Sequence, residues 1–246
     1  MNQIDLKAIE LEITSLCNLA CGLCHRTNNL GSFEIASISI NDIKRMFPVR
    51  ETIENKFFLL CGALGEPVSN KDCYLIAEYL GSNGGYVEIN SNASLETSDW
   101  WYRLGKLSSD TNQLSVWFCV DGYKETNHIY RINSNFDIII RNMEAYVEGG
   151  KEGNKGSATA TWMYNLFDHN IEELDLAKDH AEKLGIKFAT RRSVGNSFGF
   201  VAKKRVRNKE TREVHENNVS FKSSGDSAHS GSDTHALLIR LTDGRQ

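Results

Sequence analysis

The stretch Ala8-Ile9-Glu10-Leu11-Glu12-Ile13-Thr14-Ser15-Leu16-Cys17-Asn18-Leu19-Ala20-Cys21-Gly22-Leu23-Cys24 joins a strand to a cysteine-rich loop. From Ala8 to Thr14 apolar and polar side chains alternate, the period of a half-buried strand. The cysteines follow at once, so three thiols are expected just past the strand's C-terminal end. Such bunching is hard to assign to packing, because the other three cysteines, Cys61, Cys73 and Cys119, stand singly.

Working outward, the same strand-then-helix pattern recurs. Ser39 or Asn41 caps a helical spacing of Ile40, Ile43, Met46 and Phe47. Phe57 to Cys61 reads as a buried strand, followed by a Gly-rich turn and a helix over 72–80. Further strands are expected at 86–90, 114–120, 157–164 and 186–190. Helices are expected near 98–107, 135–147 and 171–184, the last ending at Gly185. Strands alternating with helices imply a parallel sheet with right-handed crossovers. The expected fold is therefore α/β, an incomplete (β/α)6 TIM-like barrel with its functional loops at the C-terminal ends of the strands.

The chain of 246 residues suits one large domain. We divide it into a core domain, 1–200, and a polar, basic tail, 201–246, expected to be poorly ordered or a remnant domain. Lys203-Lys204-Arg205-Val206-Arg207-Asn208-Lys209 is basic, 220–232 is rich in Ser, Gly and Asp, and Ala236 to Leu241 is apolar enough for a short strand or helix. A charge run of this kind is usually a solvated segment. The net charge of -4 supplies no strong field for nucleic acid, which is not an expected partner. The N-terminus lacks a secretory pattern and no apolar run reaches membrane-spanning length, so we expect a cytoplasmic protein with no membrane partner. In a reducing compartment its six cysteines are available for metal.

Soft thiolates select zinc, copper(I) or iron-sulfur clusters. Three thiolates on a four-iron cubane leave one iron open to an exogenous ligand. Two other readings use the same residues. Cys21-Gly22-Leu23-Cys24-His25 matches the attachment sequence of c-type haem, a chemistry of exported proteins. Cys17, Cys21, Cys24 and His25 alternatively make a Cys3His zinc site, although adjacent Cys24 and His25 close awkwardly around one tetrahedral ion.

The C-x-x-x-C-x-x-C spacing, preceded by Glu12-Ile13-Thr14-Ser15-Leu16 and followed by a βα chain, resembles the radical S-adenosylmethionine superfamily over roughly residues 5–190. The resemblance implies that Cys17, Cys21 and Cys24 hold a [4Fe-4S] cluster whose open iron chelates S-adenosyl-L-methionine. Reductive cleavage of that cosubstrate yields a 5′-deoxyadenosyl radical that abstracts hydrogen from a substrate. It also implies an electron donor such as a flavodoxin or ferredoxin. Leu23 stands where the family commonly has an aromatic near the adenine. Gly62-Ala63-Leu64-Gly65-Glu66-Pro67 is similar to the Gly-Gly-Glu-Pro segment that receives the cosubstrate's amino group, with Leu64 replacing the first glycine. Glycine permits close backbone approach, and Glu66 offers an anionic acceptor.

Asn90-Ser91-Asn92-Ala93 resembles the family's Thr-Asn-Gly. Cys119-Val120-Asp121-Gly122 resembles Ser-Ile-Asp-Gly, and Arg131 stands where relatives place an arginine that pairs with the cosubstrate carboxylate. The expected cofactor-binding residues are thus Leu23, Gly65, Glu66, Asn92, Cys119 and Arg131. No residue is assigned a catalytic role. Cys61 and Cys73 read as buried thiols, Trp117, Phe118 and Trp162 as barrel core, Asn165 as a polar residue or helix cap, and His25, His128 and His169 as loop residues.

The core is most similar to peptide-modifying members, without their cysteine-rich C-terminal domain, since no cysteine follows Cys119. The substrate is expected to be a peptide. Two alternatives stand beside this reading: the same chemistry on a small metabolite or nucleobase precursor, and a non-enzymatic zinc or iron-sulfur binding module.

Overall fold

A computed structural model describes residues 6–61 and 63–192, with the strands 204–207, 214–217 and 236–239 beyond them. The chain runs β1 (Ala8–Leu11), a short α1 (His25–Asn28), α2 (Ile40–Met46), β2 (Phe57–Leu60), α3 (Cys73–Ser82) and β3 (Tyr86–Ser91). It continues through α4 (Ser98–Thr111), β4 (Leu114–Cys119), α5 (Asn127–Tyr130), α6 (Phe136–Glu152), β5 (Thr159–Leu166), α7 (Leu174–Leu184) and β6 (Lys187–Arg192). β7 (Lys204–Arg207), β8 (Val214–Asn217) and β9 (Ala236–Ile239) follow.

The helices start and stop where local chemistry dictates. Ser39 closes a capping box with Asp42 at the start of α2, and the side chains of Thr97 and Asn135 cap α4 and α6. Gly185 ends α7 in the left-handed conformation at φ 72°.

Strands β1 to β6 lie side by side in sequence order and all neighbours are parallel. β6 forms one edge and the sheet does not close on itself, which is the expected unclosed α/β barrel. β9 pairs in parallel with the outer edge of β1, Ala8 opposite Ala236. The apolar segment left open between strand and helix is therefore a strand of the main sheet. The basic run contributes β7, which pairs antiparallel with β8 as a separate ribbon. The expected poor order of 220–232 lies outside the described residues, and so does Gly62.

Alternation divides the sheet into two faces. Ile9, Leu11, Phe58, Leu60, Val87, Ile89, Val116, Phe118, Trp162 and Tyr164 point to the helices and are buried there with Ile43, Ile76, Leu80, Trp101 and Tyr146. Phe118 packs on Trp101 and Tyr146 with ring centroids 5.6 and 5.5 Å apart. Burying each such side chain contributes about 1.5–3 kcal/mol. The opposite face carries Glu10, Leu59, Glu88, Asn90, Trp117 and Cys119, all half-buried. Trp117, expected in the core with Phe118 and Trp162, is on this concave face instead, because an odd shift along a strand reverses the side. Parallel strands bring all their C-terminal ends to one edge, and there the cysteine loop gathers with the segments after β2, β3, β4 and β5.

Candidate functional site

The cysteine loop is tied down at both flanks. Thr14 and Ser15 bond the 34–37 segment, Ser15 Oγ donating to the carbonyl of Glu34 at 3.0 Å and the Ala36 amide donating back to Ser15 Oγ at 2.8 Å. Arg26 Nε donates to the carbonyl of Ser15 at 2.9 Å, and the Ala20 amide donates to Ile132 O at 3.1 Å, next to Arg131. Within the loop the Leu19 amide donates to Cys17 Sγ at 3.4 Å, and Cys24 N to Cys21 O at 3.1 Å. Cys21 is buried, Cys17 and Cys24 half-buried. Burial raises the Cys21 thiol to about 11, opposed by the Arg131 guanidinium; burial also raises Cys17. A bound metal reverses this preference by coordinating the thiolate.

The donor set fits a soft multinuclear group. Three thiolates on a four-iron cubane leave one iron open, whereas a structural zinc site closes with a fourth protein ligand. His25 is exposed, its Nδ1 3.3 Å from Asn29 Nδ2.

Gly65 is required by a close approach, though to protein rather than ligand. A Cβ there would lie 2.1 Å from Thr14 O and 2.8 Å from Leu16 O. The Glu66 amide, freed to enter the same crevice, donates to Leu16 O at 2.7 Å. The turn after β2 thus lies directly on the start of the cysteine loop. Glu66 is 4% exposed and accepts from Ser91 Oγ at 2.6 Å, Asn92 N at 2.8 Å and Val68 N at 3.3 Å. Burial raises this carboxyl and the three donors pull it back. With about four acceptor positions, it retains room for one further donor.

Asn92 donates from Nδ2 to Asn18 Oδ1 at 3.1 Å, linking the end of β3 to the residue after Cys17. Arg131 places Nε and Nη2 each 2.7 Å from Asp121 Oδ2. Burial opposes its charge, but Asp121, together with Cys21, Cys119 and Tyr130, outweighs this and holds the guanidinium protonated. Cys119, with its thiol raised to about 12 by burial, is 3.7 Å from Trp117 O. Leu23 is half-buried.

Loop hydrogen bonds and contacts therefore bring together the cysteine loop, Gly65, Glu66, Asn92 and Arg131. Asn165 does not cap a helix: its amide and Nδ2 donate to Asp121 Oδ1 at 2.7 and 2.8 Å. His169 is half-buried and stacks on Phe167 at 5.3 Å. Sequence reasoning missed Glu12, Asn18 and Asp121 as members of this region. Glu12 is 1% exposed and its Oε1 accepts from the amides of Ala63 at 2.8 Å and Leu64 at 3.3 Å, holding the turn after β2. The available signal was its place in the alternation, a carboxylate on the face away from the helices.

No protein-family model and no curated protein matches the sequence. Solved structures do match. Streptococcus suis SuiB bound to S-adenosylmethionine shares 14% identity, with a TM-score of 0.56 over 82% of this chain and 44% of its own. SuiB bound to precursor peptide SuiA gives 14% and 0.56 over 81% of this chain and 42% of its own. Native anSMEcpe with bound AdoMet gives 16% and 0.54 over 74% of this chain and 51% of its own. The chain spans about half the length of these proteins or less, and it shares the fold of SuiB and anSMEcpe over most of its own length.

Proposed function

We propose, proceeding from the fold shared with radical S-adenosylmethionine enzymes, that this chain is itself such an enzyme. One observation carries the reading. The loop bearing Cys17, Cys21 and Cys24 is hydrogen-bonded to the segments bearing Glu66, Asn92 and Arg131, at the strand edge where the fold gathers its loops.

In this reading Cys17, Cys21 and Cys24 hold a [4Fe-4S] cluster, which when bound supplies the electron that cleaves S-adenosylmethionine to a 5′-deoxyadenosyl radical. The remaining work belongs to the chain. Glu66, fixed by Ser91 and Asn92, offers its last acceptor position to the cosubstrate ammonium. Arg131, fixed by Asp121 through Nε and one Nη2 bond, keeps its other N–H donors for the carboxylate. Leu23 and Cys119 line the remainder, and Gly65 keeps the turn seated. A peptide substrate is supported by the complexes of SuiB with SuiA and of anSMEcpe with Cp18Cys peptide. A flavodoxin or ferredoxin supplies the electron, and a cytoplasmic setting keeps the thiols reduced.

Anaerobic reconstitution tests this. The chain is expected to take up about four irons and, when reduced with S-adenosylmethionine, to release 5′-deoxyadenosine. Uptake of a single zinc with no iron under those conditions overturns the reading. Arg131→Ala is expected to weaken cosubstrate binding at least tenfold with the iron content unchanged.

A further inference from the structure

The two edges of the β1–β6 sheet differ. β9 covers the outer edge of β1, whereas β6 pairs with β5 alone among the described residues. An edge strand presents a row of unpaired backbone N–H and C=O groups, a template for one more strand. This edge is regular and firmly held. All six residues of β6 are in register with β5, from Lys187 opposite Thr161 to Arg192 opposite Leu166. Phe188 packs on Trp162 and Tyr164 with ring centroids 6.1 and 5.8 Å apart. At about 3.3 Å per residue the edge runs for about 20 Å, the reach of an extended segment of about six residues.

The side chains of β6 set the sign of what pairs there. Lys187 and Arg191 are exposed, and neither enters a salt bridge among the described residues. Like charges facing one another destabilise strand pairing, so a second copy of β6 is repelled and an acidic strand attracted. The register also carries the face of the site out to this edge. Trp117 stands opposite Thr161 and Thr161 opposite Lys187, while Cys119 stands opposite Met163 and Met163 opposite Ala189. Aligned residues of parallel strands share a face, so Lys187, Ala189 and Arg191 lie on the concave side with Trp117 and Cys119. Arg191 is in register with Asn165, which bonds Asp121, the partner of Arg131. We propose that β6 takes up an acidic peptide as an added strand. Main-chain hydrogen bonds supply the affinity, and Lys187 and Arg191 select Asp or Glu side chains. A strand laid there continues the rows of the sheet and turns alternate side chains into the concave face. The inference rests on the proposed enzyme reading for calling that peptide a substrate, but the binding it predicts belongs to the chain alone.

The test titrates the full chain, as purified and after cluster reconstitution, with three fluorescent hexapeptides followed by anisotropy at low salt. One alternates valine and glutamate, the second valine and lysine, and the third is the glutamate peptide with every backbone N–H methylated. The glutamate peptide is expected to bind at least tenfold more tightly than either of the others, with the margin over the lysine peptide shrinking as salt is added. Lys187→Glu combined with Arg191→Glu is expected to reverse the order of the glutamate and lysine peptides while iron uptake stays unchanged. Equal binding of those two peptides by wild type overturns the proposal, even where the double variant does not fold. So does equal binding of the methylated peptide, which would leave charge alone to account for the affinity. An unchanged order in the folded double variant, or no binding by wild type, also overturns it. If iron uptake fails while the glutamate preference stands, the enzyme reading falls and the edge site remains.

Discussion

Glu12 reads in the sequence as a strand carboxylate, yet it is 1% exposed. Burial raises it from 4.5 to about 7, despite the amides of Leu64 and Ala63 that favour its charge. The Glu10 charge beside it adds to the rise, and the Cys61 thiol, which donates to Glu12, opposes it. A carboxyl whose pKa is raised by folding favours the folded state in its protonated form. That contribution is fully present below the unfolded value near 4.5 and is lost as pH rises through about 7. The loss amounts to as much as about 3 kcal/mol. Wild type is therefore expected to melt at lower temperature at pH 8 than at pH 5, and Glu12→Gln, which does not titrate, to show a smaller decline. Equal declines in the two proteins would rule out Glu12 as the source.

Between elements, close backbone contact is made at glycines. A Cβ on Gly105 of α4 would lie 1.8 Å from Tyr146 O of α6, and one on Gly149 of α6 would lie 1.9 Å from Tyr102 O. These helices touch main chain to main chain, as the turn after β2 touches the end of β1 at Gly65. Gly65→Ala and Gly105→Ala are each expected to cost about 2–4 kcal/mol in denaturant unfolding, through forced backbone displacement. Gly22→Ala in the cysteine loop, with no atom within 4 Å of the added methyl group, is expected to change stability by less than about 0.5 kcal/mol. A Gly65→Ala chain as stable as wild type would mean that the turn is not seated as described.

For the molecule as a whole, the core and the site are separable. The apolar cluster lies between the sheet and its helices and includes none of Cys17, Cys21 or Cys24. Replacing all three with Ala is expected to leave the far-ultraviolet circular dichroism unchanged while abolishing iron uptake. Loss of secondary structure in that variant would instead make the metal a folding element.

The order of strands and helices was legible because burial on one face imposes a period, and period survives in a single sequence. Ser39, Gly185 and the alternation in Ala8 to Thr14 each announce a local backbone state. The cysteine triplet stood out because three thiols within eight residues form a local pattern. What lay beyond reach depends on pairs distant along the chain. Asp121 is claimed by Arg131, Asn165 and Asn170 together, and nothing within a few residues of Asp121 announces this. Trp117 and Phe118 look alike as a strand dipeptide, and only the position of the helices decides which is buried. Likewise Glu10, Glu12 and Cys61 are ordinary letters of two strands until the β1–β2 register sets them together. The sequence alone determined the repeating unit and the cysteine loop proposed to hold metal, since both are local. Tertiary structure decided which groups meet on the concave face, because strand register and crossover direction bring together residues that no local pattern relates.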